Sequence, residues 1–597
     1  MTRNITPMHI AMLLWLMVVV GAITLNFHNI VALNPNDPDD ALRLVQVRDL
    51  LGGQGWWDSI QHRINPMGGG GLMHWSRIVD IPLALGIAAL QPLLGPSTAE
   101  MVVMALWPLL LLLPLFALVV RIGEALGGHR LAMVAPLLLA SSLTIMFQFA
   151  PLRIDHHGWQ IMLAGGLLLL VLLPATLARG AAAGLVAATY LAISLEGLPA
   201  VTVIAAIMAV EWWWNGGAEA RTRLSAYLIT VSLGAAALQW LTRGPAGLFS
   251  TWCDALSLPY LGALAAAALV VATGARVAGR TRTARFAVLG VGALVAAAVL
   301  VMIEPACARG PFVTLDPLIR DHWFNHVREA LPPWSVFDFM TGFALAPTLV
   351  GLIGTACALR AATGEEARRW RILAAALVAM AAVSLFIMRA SSVAHLYAIP
   401  GTGFALIALW CRARAIAHPP LRVVATAASL VLVPLAAGSL GGLATNALAE
   451  RDEPSTAHER VAPPCVNPPA VAGLKAIPSA LLFAPLDIGP FILQRTPHSV
   501  VATGHHRNAA AIMRVFTAFG GSAEAARTTI AASGATMVVV CVATPEFDNF
   551  RAEGVGNFAD QLAEGRAPDW LERAEMPRGS RLGVWRVRSS DAPAIHD

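Results

Sequence analysis

The sequence predicts a polytopic α-helical membrane protein of about thirteen transmembrane helices, followed by a soluble C-terminal α/β domain. Three observations carry this. The 597 residues are 57% hydrophobic and 13% charged, with mean hydropathy +0.65, a composition suited to lipid as the solvent. Apolar runs long enough to cross a bilayer recur from Ala11 to about Ala444, and after Glu450 the charged and polar residues return at soluble-protein density. The arginines of the first part fall in alternate connections, as the positive-inside tendency requires.

Taken in order, the candidate spans are 8–26, 99–120, 131–149, 159–178, 181–195, 198–214, 224–242, 259–275, 284–303, 340–359, 371–388, 397–411 and 422–445. The first has a short basic leader (Arg3) and no small-residue cleavage site, so it reads as a retained span. With the N-terminus inside, the inner connections carry Arg121 and Arg130, Arg179, Arg221 and Arg223, Arg276, Arg280 and Arg282, Arg360, Arg368 and Arg369, and Arg412, Arg414 and Arg422. The stretch 78–95 is apolar too, but counting it as a span inverts every later arginine loop. Pro82 and Pro92 interrupt it, and it is read as interfacial or re-entrant. Residues 1–449 then form the membrane domain, with a long first outer loop at 27–98. Residues 450–597 form an outer α/β domain, alternating "SALLFAPL", "SVVAT", "ATMVVVCVA" and "RLGVWRV" with the helix "SAEAARTTIAAS". The net charge of +5 is spread over short loops rather than one patch, which excludes nucleic acid as a partner. Four of the six cysteines face outside, and Cys253–Cys307 and Cys465–Cys541 are the pairings expected in an oxidising compartment. Cys357 and Cys411 lie at inner helix ends.

Two polar motifs stand at the outer ends of spans. "NPNDPDDALRLVQVRDLL" opens the first outer loop with Asp37, Asp39 and Asp40, ahead of a helical pattern with Arg43 and Arg48 on another face. "RIDHHGWQ" separates two apolar runs at 153–160. An N-cap and the helix dipole explain one aspartate; three repel unless a cation joins them. Asp155 and His157 supply donors of the type a divalent cation takes, so both motifs are candidates for one metal site. In an extended loop, His156 would point away from that site.

These motifs resemble the GT-C glycosyltransferases, and within them the catalytic subunit of the oligosaccharyltransferases, above all the archaeal ones. The resemblance implies a GT-C fold of thirteen spans with a C-terminal outer domain. It implies a metal held by Asp40 (Asp39 competing), Asp155 and His157, with His74 of "MHWSR" as a further ligand. It places Glu329 of "DHWFNHVREALPPW" as an acidic residue of the fifth outer loop, with Asp316, Asp321 and Glu304 as rivals, and Arg389 near the donor phosphate. Asp39 or Glu329 would serve as the base. The family's Trp-Trp-Asp-Tyr-Gly motif is missing: Asp487 and Gly489 survive as D-x-G, and "WWDS" at 56–59 lies in the wrong loop. His505, His506, Arg507 and Asn508 of "GHHRN" are candidates for the acceptor side, along with Asp487.

The implied function is a metal-dependent glycosyltransferase (Mn, Mg or Zn) of the bacterial inner membrane with its site on the periplasmic side. It would move a sugar or glycan from a polyprenyl phosphate or pyrophosphate donor to a glycolipid, lipopolysaccharide or polysaccharide. The alternatives are a protein oligosaccharyltransferase with a diverged acceptor site, and a transporter or flippase of lipid-linked sugars. Ionisable clusters in outer loops rather than at mid-membrane, and no evident inverted repeat, count against transport.

Overall fold

The computed structural model describes residues 6–277, 281–313, 315–335, 337–449, 465, 468–577 and 581–588. After α1 (Pro7–Leu25), the first loop holds α2 (Pro38–Leu51), a hairpin of β1 (Ile60–Gln61) and β2 (Gly71–Leu72), and α3 (Arg77–Leu94). The 45-residue α4 (Pro96–Ala140) is two limbs, because Gly127 and Gly128 leave helical geometry, Gly128 at φ 63°. Then come α5 (His157–Leu172), α6 (Leu177–Ile193), α7 (Leu198–Asn215), α8 (Ala218–Leu248), α9 (Leu258–Val277) and α10 (Arg282–Ile303). They are followed by α11 (Phe339–Ala361), α12 (Gly364–Ser384) and α13 (Ser391–Arg414). The last expected span is broken: α14 (Pro419–Ala428) and α15 (Pro434–Ala449) belong to a pair bent by 76°.

Each of the thirteen expected spans thus meets a helix or a helix limb. By length and apolarity, nine helices of the described residues could cross a membrane, or up to ten with the bent pair as one. The count is lower because α4 holds two limbs, α5 and α6 have 16 and 17 residues, and Glu365, Glu366, Arg368 and Arg369 crowd the start of α12. α3 passes the same test. Its start, however, is tied to α2, where Asp80 pairs with Arg43 at 2.7 Å, and the first turn of α4 beyond it is tied there too, through Glu100 and Arg48.

Small residues let helices approach closely. A Cβ on Gly354 of α11 would fall 2.0 Å from the carbonyl oxygen of Gly401 on α13. At one end of the bundle, arginines of several connections gather. Arg223 and Arg368 share Glu211 and donate to carbonyls at the end of α5, and Arg369 donates to the Ala125 carbonyl. They satisfy carbonyls that a helix C-terminus leaves unpaired.

The C-terminal part carries β3 (Leu481–Phe483), β4 (Ser499–Val500), β5 (Met537–Val540), β6 (Leu571–Arg573) and β7 (Gly583–Val587) in the order β4-β3-β5-β7-β6. β3 runs parallel to β4 and β5, and β7 is antiparallel to β5 and β6. All four residues of β5 are buried because both faces are covered. Val538 and Val540 pack with Phe516 and Phe519 of α16 (Ala509–Gly520). Met537 and Val539 pack in the cluster that holds Leu42 and Val45 of α2 with Met73 and Trp75. That second face seats the sheet on the long segment between α1 and α4. Cys253 pairs with Cys307 and Cys465 with Cys541, while Cys357 and Cys411 are free. The boundary expected at 449/450 adjoins segment 450–464, outside the described residues.

Candidate active site

Asp37 caps α2, accepting from the Asp39 amide at 2.9 Å, with Pro38 at the first helical position and Asp39 and Asp40 in the first turn. Asp40, 1% exposed, turns instead to the loop ahead of α5. Its Oδ1 accepts from the backbone amides of Ile154 (2.8 Å) and Asp155 (3.0 Å). Leu152, held at φ 72° with its amide bonded to the Met104 carbonyl, bends the chain just before those amides; a non-glycine residue there is strained and is kept in place by its surroundings. Asp155 accepts from the His157 amide at 3.0 Å, and its Oδ2 lies 3.5 Å from His157 Nε2.

Arg153 sits among these carboxylates. It bonds Asp37 and lies 3.4 Å from Asp40 and 3.2 Å from Asp155. Asp37, Asp40 and Asp155 offer oxygens all within 4.8 Å of one another. Three carboxylates against one guanidinium leave a formal charge of two negative. Burial and the neighbouring carboxylates hold Asp39 and Asp40 well above the usual carboxylate range. Burial alone would raise Asp155 as well, but Arg153 and the imidazoles of His157 and His156 overcome it and hold that carboxyl low. Asp155 Oδ2 is buried and makes no well-aligned hydrogen bond. The crowded carboxylates and the adjoining imidazole together suit a divalent cation, which would displace the protons that burial favours.

The cluster stands behind the wall of a cavity of about 840 Å³, which Asp37, Asp39, His156, Glu196, Glu329, Arg389 and Asp487 line together with apolar side chains from the spans. His156 does not turn away. Its backbone is helical rather than extended, its ring lies 4.4 Å from that of His157, and both group with Glu196. Arg389 pairs with Glu196 at 2.5 Å and with Glu329 at 3.1 Å. Of the acidic rivals in that loop, Glu304 and Asp316 cap local turns and Asp321 accepts from Asn325. Among the described residues, Glu329 is the one of this group that pairs with Arg389.

Two expectations need correction. His74 does not join Asp40: Arg243 grips the carbonyls on both sides of it, and it groups with Asp254 and His506. His506 lines the cavity as expected of an acceptor-side residue, but both it and Arg507 are engaged by Asp254. His506 Nε2 lies 2.7 Å from Asp254, and Arg507 donates to both oxygens of the same carboxylate. Of this motif it is His505 that approaches the first-loop aspartates: its Nε2 is 3.7 Å from Asp39, and its pKa is pushed down to about 3, chiefly by burial. Asp487 does line the cavity, with its pKa raised to about 6 by burial and by Asp37. "WWDS" has a structural role. Pro245 in α8 has no N–H for the Leu241 carbonyl, which the indole N–H groups of Trp56 and Trp57 satisfy at 2.6 and 3.1 Å.

Sequence reasoning missed Asp254, a lone aspartate beside Cys253. It also missed Arg153 as the internal counter-cation, although the motif itself contains that residue.

Helix order, the acidic cluster at the edge of the bundle and the C-terminal mixed sheet define a polytopic helical membrane protein with a C-terminal α/β part. Archaeal oligosaccharyltransferase AglB from Archaeoglobus fulgidus, solved with an inhibitory peptide and a dolichol-phosphate, shares this fold. The TM-score is 0.62 at 14% identity, over 98% of this chain and 75% of that one. The Archaeoglobus fulgidus oligosaccharyltransferase tethered to an acceptor peptide containing the NVT sequon gives 0.57 at 14%, over 97% and 74%. Its complex with Zn and sulfate gives 0.51 at 14%, over 98% and 74%. No family model and no curated protein matches the chain.

Proposed function

We propose that this chain is a metal-dependent glycosyltransferase with a polyprenyl phosphate or pyrophosphate sugar donor and a glycolipid, lipopolysaccharide or polysaccharide acceptor. Its membrane domain is residues 1–449, and residues 450–597 form a periplasmic domain over the site at the inner membrane. The observation that carries this reading is the convergence, at one partly apolar cavity, of the Asp37–Asp40–Asp155 cluster with Arg389 and Glu329. The structural neighbours add weight: they are oligosaccharyltransferases, one solved with a polyprenyl phosphate and one with zinc.

A divalent cation (Mn, Mg or Zn) held by Asp40, Asp155 and His157, with Asp37 alongside, would lend positive charge to the donor phosphate. Arg389 hydrogen-bonds that phosphate from the other side once it exchanges its carboxylate partners for it. Asp39 opens into the cavity, where burial and the neighbouring carboxylates raise its pKa and so make it a stronger proton acceptor than an ordinary carboxylate. Asp39 or Glu329 takes the acceptor's hydroxyl proton as that oxygen bonds the anomeric carbon. The phosphate leaves with the electrons of the broken C–O bond. Aligning the two reactants and stabilising the leaving charge supply the rate. The two tryptophans and the tyrosine that flank the aspartate in the oligosaccharyltransferase motif are absent around Asp487, which favours a glycan over a sequon peptide as acceptor.

Mass spectrometry of surface glycolipids and periplasmic glycoproteins from a deletion strain tests this. One glycolipid or polysaccharide species should lose a sugar, restored by the wild-type gene and not by Asp155→Asn. A defect confined to glycoproteins would replace the acceptor class. An unchanged glycome with accumulated unflipped donor would replace the enzyme with a transporter.

A further inference from the structure

Three side chains from distant parts of the chain meet on the cavity wall outside the Asp40 cluster. They are His74 of the first outer loop, Asp254 of the loop after α8, and His506 of the C-terminal part. Each offers a ligand atom, and these atoms lie within 4.8 Å of one another. The two imidazole rings are 4.8 Å apart.

All three are held from behind. Arg243 donates to the carbonyls of Met73 (2.9 Å) and Trp75 (2.8 Å), fixing the backbone around His74. Asp254 follows the Cys253–Cys307 disulfide, and Arg507 grips it at 2.9 and 3.0 Å with its guanidinium over the Trp252 ring at 3.9 Å. His506 Nε2 lies 2.7 Å from Asp254. A further observation points to a missing partner: His74 Nδ1 is buried and bonded to nothing. Buried polar nitrogens are normally paired, with the protein, with water or with an ion.

We propose that His74, Asp254 and His506 form a second metal site, separate from the acidic cluster, that takes Zn(II) and leaves a fourth position open to the cavity. Two imidazole nitrogens and one carboxylate oxygen are donors that suit zinc, whereas Mg(II) and Ca(II) prefer oxygen alone. Three protein ligands with a fourth place free is the arrangement of zinc sites that engage water or substrate. Arg507 bonds the carboxylate from outside, as partners of a ligating carboxylate do. Because its ligands come from both parts of the chain, the ion also pins the C-terminal sheet over the cavity. None of this depends on glycosyl transfer.

The test uses the full chain in detergent, with Asp40→Asn and His157→Gln to disable the acidic cluster and the His156–His157–Glu196 group. After chelator stripping, this protein should rebind about one zinc per chain. Cobalt in its place should give the intense visible bands of a four-coordinate site with imidazole ligands. His74→Ala or His506→Ala should lose the equivalent, and Arg507→Gln should weaken affinity by about 10- to 100-fold. The proposal is overturned if the double variant binds no zinc, or if both alanine variants keep it. The cobalt spectrum is read on the double variant itself, so the result stands even where an alanine variant fails to fold; six-coordinate, weak bands there would also overturn it.

Discussion

Asp40 serves two purposes that a pair of substitutions separates. Its Oδ1 accepts from two buried backbone amides, those of Ile154 and Asp155, and so fixes the loop that carries Asp155 and His157. Asp40→Ala leaves both amides without a partner in a site from which water is largely excluded. At about 1–3 kcal/mol for each unsatisfied buried group, the loss is about 2–6 kcal/mol. Asp40→Asn keeps a carbonyl oxygen for the amides and loses only the charge. Arg153, 3.4 Å away, retains Asp37 and Asp155, so this variant should cost about 1 kcal/mol or less. For transfer the two should look alike, each losing roughly 100-fold or more in rate, as when a group that stabilises developing charge is removed. Thermal challenge followed by fluorescence-detected size exclusion measures the stability, and transfer from a polyprenyl phosphate sugar measures the activity. If Asp40→Ala withstands heat as well as Asp40→Asn, the amide-clamp argument is wrong. If Asp40→Asn transfers normally, the charge is not needed.

Asp39 and Asp40 are held above their ordinary value of 3.8, so without a cation the native state should lose stability as pH rises from that value through their raised ones. A divalent cation displaces those protons, so its affinity should climb with pH; calorimetry in buffers of different ionisation heat should report proton release, and proton-neutral binding would contradict this. Asp80 holds Arg43 at 2.7 Å and Arg77 at 3.3 Å, all nearly sealed from solvent. Asp80→Ala should cost about 3–5 kcal/mol in the same thermal assay, and Arg43→Met with Asp80→Leu should cost less. Removing the Cys253–Cys307 bridge, which spans 54 residues, should cost about 4 kcal/mol on loop entropy; heat resistance equal to wild type would show that the surrounding packing alone holds the loop. With Cys357 and Cys411 replaced, a cysteine at exposed Ser97 should react with an impermeant thiol reagent from the same side as one at Asp548. Labelling from opposite sides would mean that α3 crosses the membrane.

What the sequence made legible was whatever depends on neighbours along the chain. Apolar length marks a span, and every expected span met a helix or limb. A Pro-Asp-Asp start after an aspartate marks a capped helix, and α2 begins there. The α/β character of the C-terminal part followed from short apolar runs with a helical stretch among them, while the mixed pairing and the edge strand β6 did not. The metal candidates Asp40 and Asp155 were readable because each stands at the polar edge of an apolar run. What stayed hidden depends on partners more than a hundred residues away. Arg153 belongs to the DHH motif, yet nothing local tells that its guanidinium reaches Asp37, 116 positions back. Asp254 is one aspartate in a short loop until the sheet brings Arg507 to it from 253 positions on. The family resemblance alone implies His74 as a ligand beside Asp40. The decisive fact was the grip of Arg243 on its flanking carbonyls, which turns the same histidine toward His506. The tryptophans make the point most directly. Two adjacent indoles look like a recognition surface until one asks which carbonyl in α8 Pro245 has left unpaired, and that carbonyl, Leu241, is where both indole N–H groups go.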